Sequence, residues 1–167
     1  MFRMTAYMRH ITTENPPARM RARVKTASLY VQGEDCLYLN IWKADDARTE
    51  KKPVMVWIHG GAFEMGGTVD PLYNCHKLAE EHPDVIFASI EYRVGPFGFL
   101  HLSHLPDGQD YPDAQNLGLM DHLMALKWIN ENIAAFGGDP DKVFLHLISR
   151  EDNGKKETGT YFSSSSL

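Results

Sequence analysis

Short apolar runs closed by turn residues alternate along this chain with longer stretches of helical period. Residues 37–43 (LYLNIWK) and 54–58 (VMVWI) are short, apolar and rich in β-favouring side chains, and the second is bounded by Pro53 and by His59-Gly60-Gly61. Both predict strands. Residues 85–92 (VIFASIEY) form a near-continuous apolar run, the pattern of a strand covered on both faces, and residues 143–148 predict another strand. Between them, residues 72–81 read as a helix with Pro71 at its first turn. Residues 117–135 carry Leu119, Met120, Leu123, Met124, Leu126, Trp128, Ile129 and Ile133 as a wide helical stripe that ends near Gly137-Gly138. Strands alternating with helices of this length require crossover connections. They predict an α/β fold with a mainly parallel sheet, flanking helices, and functional loops at the carboxyl ends of the strands.

Composition narrows the class. The chain has 167 residues, 43% hydrophobic and 23% charged, which excludes a wholly disordered or collagen-like protein. Lys and Arg number 17 against 22 Asp and Glu, and a net charge of −5 argues against a partner that is nucleic acid. No uncharged apolar run approaches the roughly 18 residues of a membrane span, and the start lacks the apolar region of a secretory signal, so localisation stays unassigned. Charge is unevenly spread. Residues 1–33 hold six basic side chains and one acid, Glu14, a composition shared with transit peptides, yet Pro16-Pro17 interrupts them and no amphipathic period is evident. They are expected to be a poorly ordered leader outside the main domain, which spans 34–148. Residues 149–167 are expected to be a disordered polar tail, with Tyr161, Phe162 and Leu167 as its only large apolar residues. Two cysteines, Cys36 and Cys75, make neither a disulfide framework nor a CxxC metal site.

Two places carry candidate chemistry. The loop after residue 58 reads His59-Gly60-Gly61-Ala62-Phe63, where successive small residues let backbone N–H groups approach a ligand and stabilise a developing oxyanion. An ordinary tight turn reads the same way. His101-Leu102-Ser103-His104, with Asp107, Asp110 and Asp113, gathers nucleophile, base and acid types, and faintly resembles a metal site without a third ligand at a recognised spacing. Gly, Pro and Asp dominate that stretch, so a polar surface loop is the simpler reading, and neither a metal nor a cofactor is expected. Trp42, Trp57 and Trp128 fall within predicted elements and are expected in the core.

Five segments, in order, resemble the type-B carboxylesterases, the cholinesterase-like group, in a form closer to the bacterial members. They are Glu34 to Trp42 (EDCLYLNIW), the HGGAF loop, Glu91-Tyr92-Arg93-Val94-Gly95 with Phe97-Gly98-Phe99, Asn116-Leu117-Gly118-Leu119 with Asp121, and Asn132 to Pro140 (NIAAFGGDP). The likeness runs from Glu34 to about Val143. It implies a partial α/β-hydrolase fold and serine-dependent hydrolysis of a small-molecule carboxylic ester through an acyl-enzyme. It makes Gly61 and Ala62 the oxyanion-hole donors, with Gly60 setting the turn and Phe63 facing the acyl group. Arg93 and Asp121 resemble the family's buried ion pair. Glu34 resembles half of another pair. Cys36 resembles half of a family disulfide whose partner is not evident, so a free thiol is expected, with Cys75 left as an alternative partner. Thr26 stands where cholinesterases carry a cation-binding tryptophan, so choline specificity is not implied.

The resemblance fails at the next motif. A strand should run into G-x-S-x-G, whose serine sits on a sharp turn flanked by small residues. Here the chain reads Phe144-Leu145-His146-Leu147-Ile148-Ser149-Arg150-Glu151, with Ser149 in the register of the nucleophile but Leu147 and Glu151 in place of the glycines. Ser149 is therefore a degenerate nucleophile position, and the family's acid and His, which lie far beyond the serine, are not expected in the 18 residues that follow it. The expectation is a hydrolase fragment that keeps its oxyanion loop and is inactive alone. Its rivals are a non-catalytic binding module and a weak hydrolase using Ser149 or Ser103. The strand at 143–148 is expected to present an open apolar edge that favours self-association.

Overall fold

The computed structural model describes residues 5–8, 35–46, 49–148 and 158–161. A six-stranded sheet organises them, built from β1 (Thr5–Met8), β2 (Tyr38–Trp42), β3 (Lys52–Ile58), β4 (Ile86–Ile90), β5 (Gly138–Ile148) and β6 (Thr158–Tyr161) in the spatial order β1-β2-β4-β3-β5-β6. The central pairs β4–β3 and β3–β5 are parallel, as is β1–β2, whereas β2–β4 and β5–β6 run antiparallel. The mainly parallel α/β sheet expected from the alternation is present.

Helices cover both faces. In β4 every residue is buried, and successive side chains point to opposite sides. Ile86, Ala88 and Ile90 join Val54, Val56 and Ile58 of β3 against Ala125, Leu126 and Ile129 of α3 (Leu117–Asn132). Phe87 faces the other way and packs with Trp42, Cys75 and Ala79, the last from α1 (His76–Glu81). That two-sided burial explains the near-continuous apolar character of the run.

β1 and β6 are strands within residues 1–33 and 149–167, expected as a poorly ordered leader and a disordered tail, because backbone pairing with β2 and β5 supplies their bonds. Three further features differ from expectation. The helix predicted over 72–81 is divided into a 3-10 turn, Pro71–Tyr73, and α1, because Asn74 is extended and its side chain accepts a hydrogen bond from the His76 N–H at 3.1 Å. Such a side-chain bond to the backbone competes with a continuing helix. The stripe on α3 is rotated: Gly118, Asp121, His122, Ala125, Leu126 and Ile129 face inward, while Leu119, Met120, Leu123 and Met124 are exposed. Asp121 is drawn inward by Arg93, and Gly118 lets the helix approach the Arg93 carbonyl so closely that an added Cβ would lie 2.5 Å from it. The tryptophans divide similarly, since Trp42 is buried but Trp57 and Trp128 are only partly so.

The third difference concerns the edge at 143–148. It is not open, because Leu145, His146, Leu147 and Ile148 pair with Tyr161, Thr160, Gly159 and Thr158 of β6. A TGTY segment, with Thr and Tyr favouring extended backbone, finds a row of unpaired amide and carbonyl groups on β5 and completes its ladder. Polar side chains do not prevent a strand whose bonds are made by the backbone. Glu34, Thr26 and Ser149 lie outside the described residues.

Candidate active site

Parallel pairing puts the carboxyl ends of β3, β4 and β5 level with one another: Ile58 stands opposite Ile90 on one side and Leu147 on the other. The loop leaving β3 therefore opens at the same end of the sheet as the Glu91–Arg93 segment leaving β4. Gly61, Ala62 and Phe63 adopt successive positive φ angles of 133°, 56° and 61°. An Ala or Phe in this region costs on the order of 1–2 kcal/mol each, so the turn must be held by its surroundings.

The holding contacts are explicit. The Gly61 carbonyl accepts from the N–H groups of Glu64 at 3.0 Å and Met65 at 3.2 Å, and the Phe63 carbonyl accepts from Gly95 N–H at 2.6 Å. Gly61 has no substitute, since a Cβ there would sit 1.8 Å from the Met65 carbonyl oxygen. Among the described residues the N–H groups of Gly61 and Ala62 take no acceptor, and Ala62 is exposed. Unpaired amides on an exposed turn are available to an incoming oxygen.

Below the loop, His59 is buried and its ring stacks on Tyr92 at 4.2 Å, while its Nδ1 lies 3.0 Å from the Gly60 carbonyl oxygen. The Tyr92 hydroxyl donates to the His59 carbonyl at 2.8 Å, and burial pushes its pKa up to about 12, so it remains a donor. His122 meets the edge of the same Tyr92 ring at 4.2 Å. Phe63 packs against Phe99 at 5.0 Å and against Tyr92 at 6.3 Å, with about half of its surface exposed.

The far side of the loop is tied to β4. Glu91 Oε2 accepts from the Thr68 N–H at 2.7 Å and from the Thr68 hydroxyl at 2.6 Å, and Asn40 donates to Thr68 Oγ1 at 3.3 Å and to Ser89 Oγ at 3.2 Å. These anchoring roles of Glu91, Tyr92 and Thr68 were not evident in the sequence. The available signal was a charged residue placed directly after a strand, Ile86–Ile90, in which only Ser89 is polar. Arg93 and Asp121 do form the expected ion pair, with Asp121 buried and Arg93 partly so: Arg93 Nη2 reaches Asp121 Oδ1 at 2.7 Å, and Nε and the backbone N–H reach Oδ2 at 2.8 and 3.0 Å. That bond to Asp121 raises the Arg93 pKa further above its already high range.

The remaining candidates lie elsewhere. Ser103 Oγ and His101 Nε2 are hydrogen-bonded at 2.7 Å in the exposed loop after α2 (Gly95–Phe99), far along the chain from the 59–63 turn. No group of three His, Cys, Asp or Glu side chains able to hold a metal occurs among the described residues. Cys36 and Cys75 are both free thiols, Cys75 buried and pushed up to about 11 by that burial. No described helix is long and apolar enough to cross a membrane.

A mostly parallel sheet covered on both faces, with a strained small-residue loop at the carboxyl end of a central strand, defines an α/β-hydrolase architecture. The chain belongs to the carboxylesterase family, whose model matches residues 6–146. The match opens inside the basic head, well before Glu34. The chain is 55% identical over 112 residues to the para-nitrobenzyl esterase of Bacillus subtilis, covering 67% of this chain and 22% of that protein. It is 43% identical over 150 residues to an acetylcholinesterase of Leptinotarsa decemlineata, covering 75% of this chain and 24% of the other. The crystal structure of a Geobacillus stearothermophilus carboxylesterase superposes with a TM-score of 0.62 at 48% identity, over 72% of this chain and 24% of that one. The chain thus spans about a quarter of the length of these relatives.

Proposed function

We propose that this chain supplies the oxyanion-hole portion of a serine carboxylic-ester hydrolase and does not by itself hydrolyse esters at that loop. The observation that carries the reading is the turn at Gly60, Gly61 and Ala62, strained, anchored from both sides, and bearing amides without acceptors. In such a hydrolase those N–H groups bind the negatively charged oxygen that develops when a serine attacks the ester carbonyl, and removing one donor costs about 10²- to 10³-fold in rate. Phe63 lies beside them and would contact the acyl group.

A nucleophile must stand level with the turn at the end of β5. Ser149 follows Leu147, the register partner of Ile58, by two residues, but Leu147 and Glu151 replace the small residues that a nucleophile elbow requires. No G-x-S-x-G occurs in these 167 residues. The substrate class belonging to the site is a small-molecule carboxylic ester, with neither metal nor cofactor required for acyl transfer to a serine.

Fluorophosphonate labelling followed by peptide mapping tests the reading. The expected result is no adduct at Ser149 in folded chain. An adduct there, lost in Ser149→Ala, would show that the degenerate elbow works and would overturn the proposal.

A further inference from the structure

We infer that Ser103 and His101 form a second nucleophilic site, separate from the oxyanion loop, that accepts acyl groups from activated carboxylic esters. The hydroxyl and the imidazole are already engaged, with Oγ 2.7 Å from Nε2. When that nitrogen is unprotonated it can only accept, so the hydroxyl proton is directed at a base before any substrate arrives. Both residues line a cleft of about 250 Å³ together with Leu102, Tyr111, Gln109 and Gln115. Leu102 and Tyr111 offer apolar wall to an acyl chain. The two glutamines bring amide N–H donors to the same cleft, the type of group that stabilises an acyl oxyanion.

The cleft is built by local packing. Leu105 N–H donates to the Leu102 carbonyl at 2.9 Å, and Gly108 N–H donates to the Leu105 carbonyl at 3.0 Å. Gly108 is buried so tightly beneath Leu102 that an added Cβ would lie 1.8 Å from its carbonyl oxygen. The dyad therefore rests on a closed turn whose geometry is set before binding.

In the proposed step Ser103 Oγ attacks the ester carbonyl carbon and the Oγ–C bond forms. The bond from that carbon to the leaving oxygen breaks. The hydroxyl proton passes to His101 Nε2 and then to the leaving group or water. The product is an ester of Ser103, formed without any co-reactant.

The test uses the whole 167-residue chain and p-nitrophenyl acetate, read by intact mass and by peptide mapping. The expected result is one acetyl group on Ser103, absent in Ser103→Ala, and formed about 100-fold more slowly in His101→Gln because general-base assistance is lost. His104→Gln should retain the rate, since that ring packs 5.2 Å from His101 without bonding to Ser103. Acetylation of Ser149 or of lysines instead of Ser103, an unchanged rate in His101→Gln, or no acetylation of folded chain would each overturn the inference. Failure here leaves the oxyanion-loop reading intact, because its readout is the adduct at Ser149.

Discussion

Tyr92 shows how much one side chain organises beneath the candidate site. Its ring is stacked by His59 and met edge-on by His122, and its hydroxyl holds the carbonyl from which the oxyanion turn departs. His122 is buried there, and desolvation lowers its pKa from 6.5 to about 4 despite the neighbouring Asp121 carboxylate. The unfolded chain therefore binds a proton that the folded chain refuses between those two values. Stability is fully present above about 6.5 and declines as pH falls towards about 4. The thermal midpoint is expected to fall across that window, and His122→Gln should make the fall shallower. A slope unchanged by that substitution would remove His122 as its source. Arg93 and Asp121 sit in the same layer, and removing the partly buried Arg93 would leave the buried Asp121 charge uncompensated.

The elements are positioned by close approaches as much as by apolar faces. Gly118 in the first turn of α3 touches the Arg93 carbonyl and the Phe99 ring, each 2.5 Å from where a Cβ would stand. Alanine would favour the helix by about 1 kcal/mol on intrinsic propensity. The clash acts against it, and one of its two partners is backbone that cannot swing aside. Gly118→Ala is therefore expected to destabilise the chain by roughly 1–3 kcal/mol, as overpacking does, with a lower urea midpoint as the measurement. A rise in that midpoint would mean that α3 can lift away from α2 without loss.

For the molecule as a whole, the rotation of α3 leaves Leu119, Met120, Leu123 and Met124 on its outer surface. Spaced by three and four residues, they make a contiguous apolar strip rather than scattered exposures. Among the described residues β6 covers the edge of β5, whereas this strip stays exposed. The paired substitution Leu123→Lys and Met124→Lys is expected to raise the concentration at which the chain stays monodisperse in light scattering, with little change in its melting midpoint. Equal aggregation in the variant would place the sticky surface elsewhere.

The sequence by itself determined the order of the four inner strands and of the 117–135 helix, the mainly parallel sheet, the HGGAF turn and the carboxylesterase resemblance, but not β1, β6 or α2, because period, turn residues and motif order are local properties. The Arg93–Asp121 pair was also legible, but only through that resemblance. Tertiary structure decided which face of α3 turns inward. The apolar count favoured Leu119, Met120, Leu123 and Met124, whereas the ion pair with Arg93 and a glycine contact selected Asp121 and Gly118. It also decided that β6 pairs with β5, since ladder bonds depend on an available neighbouring backbone and not on side-chain polarity. The anchoring of the turn by Tyr92, Glu91 and Thr68 joins residues more than twenty positions apart, and only the folded sheet brings such partners together.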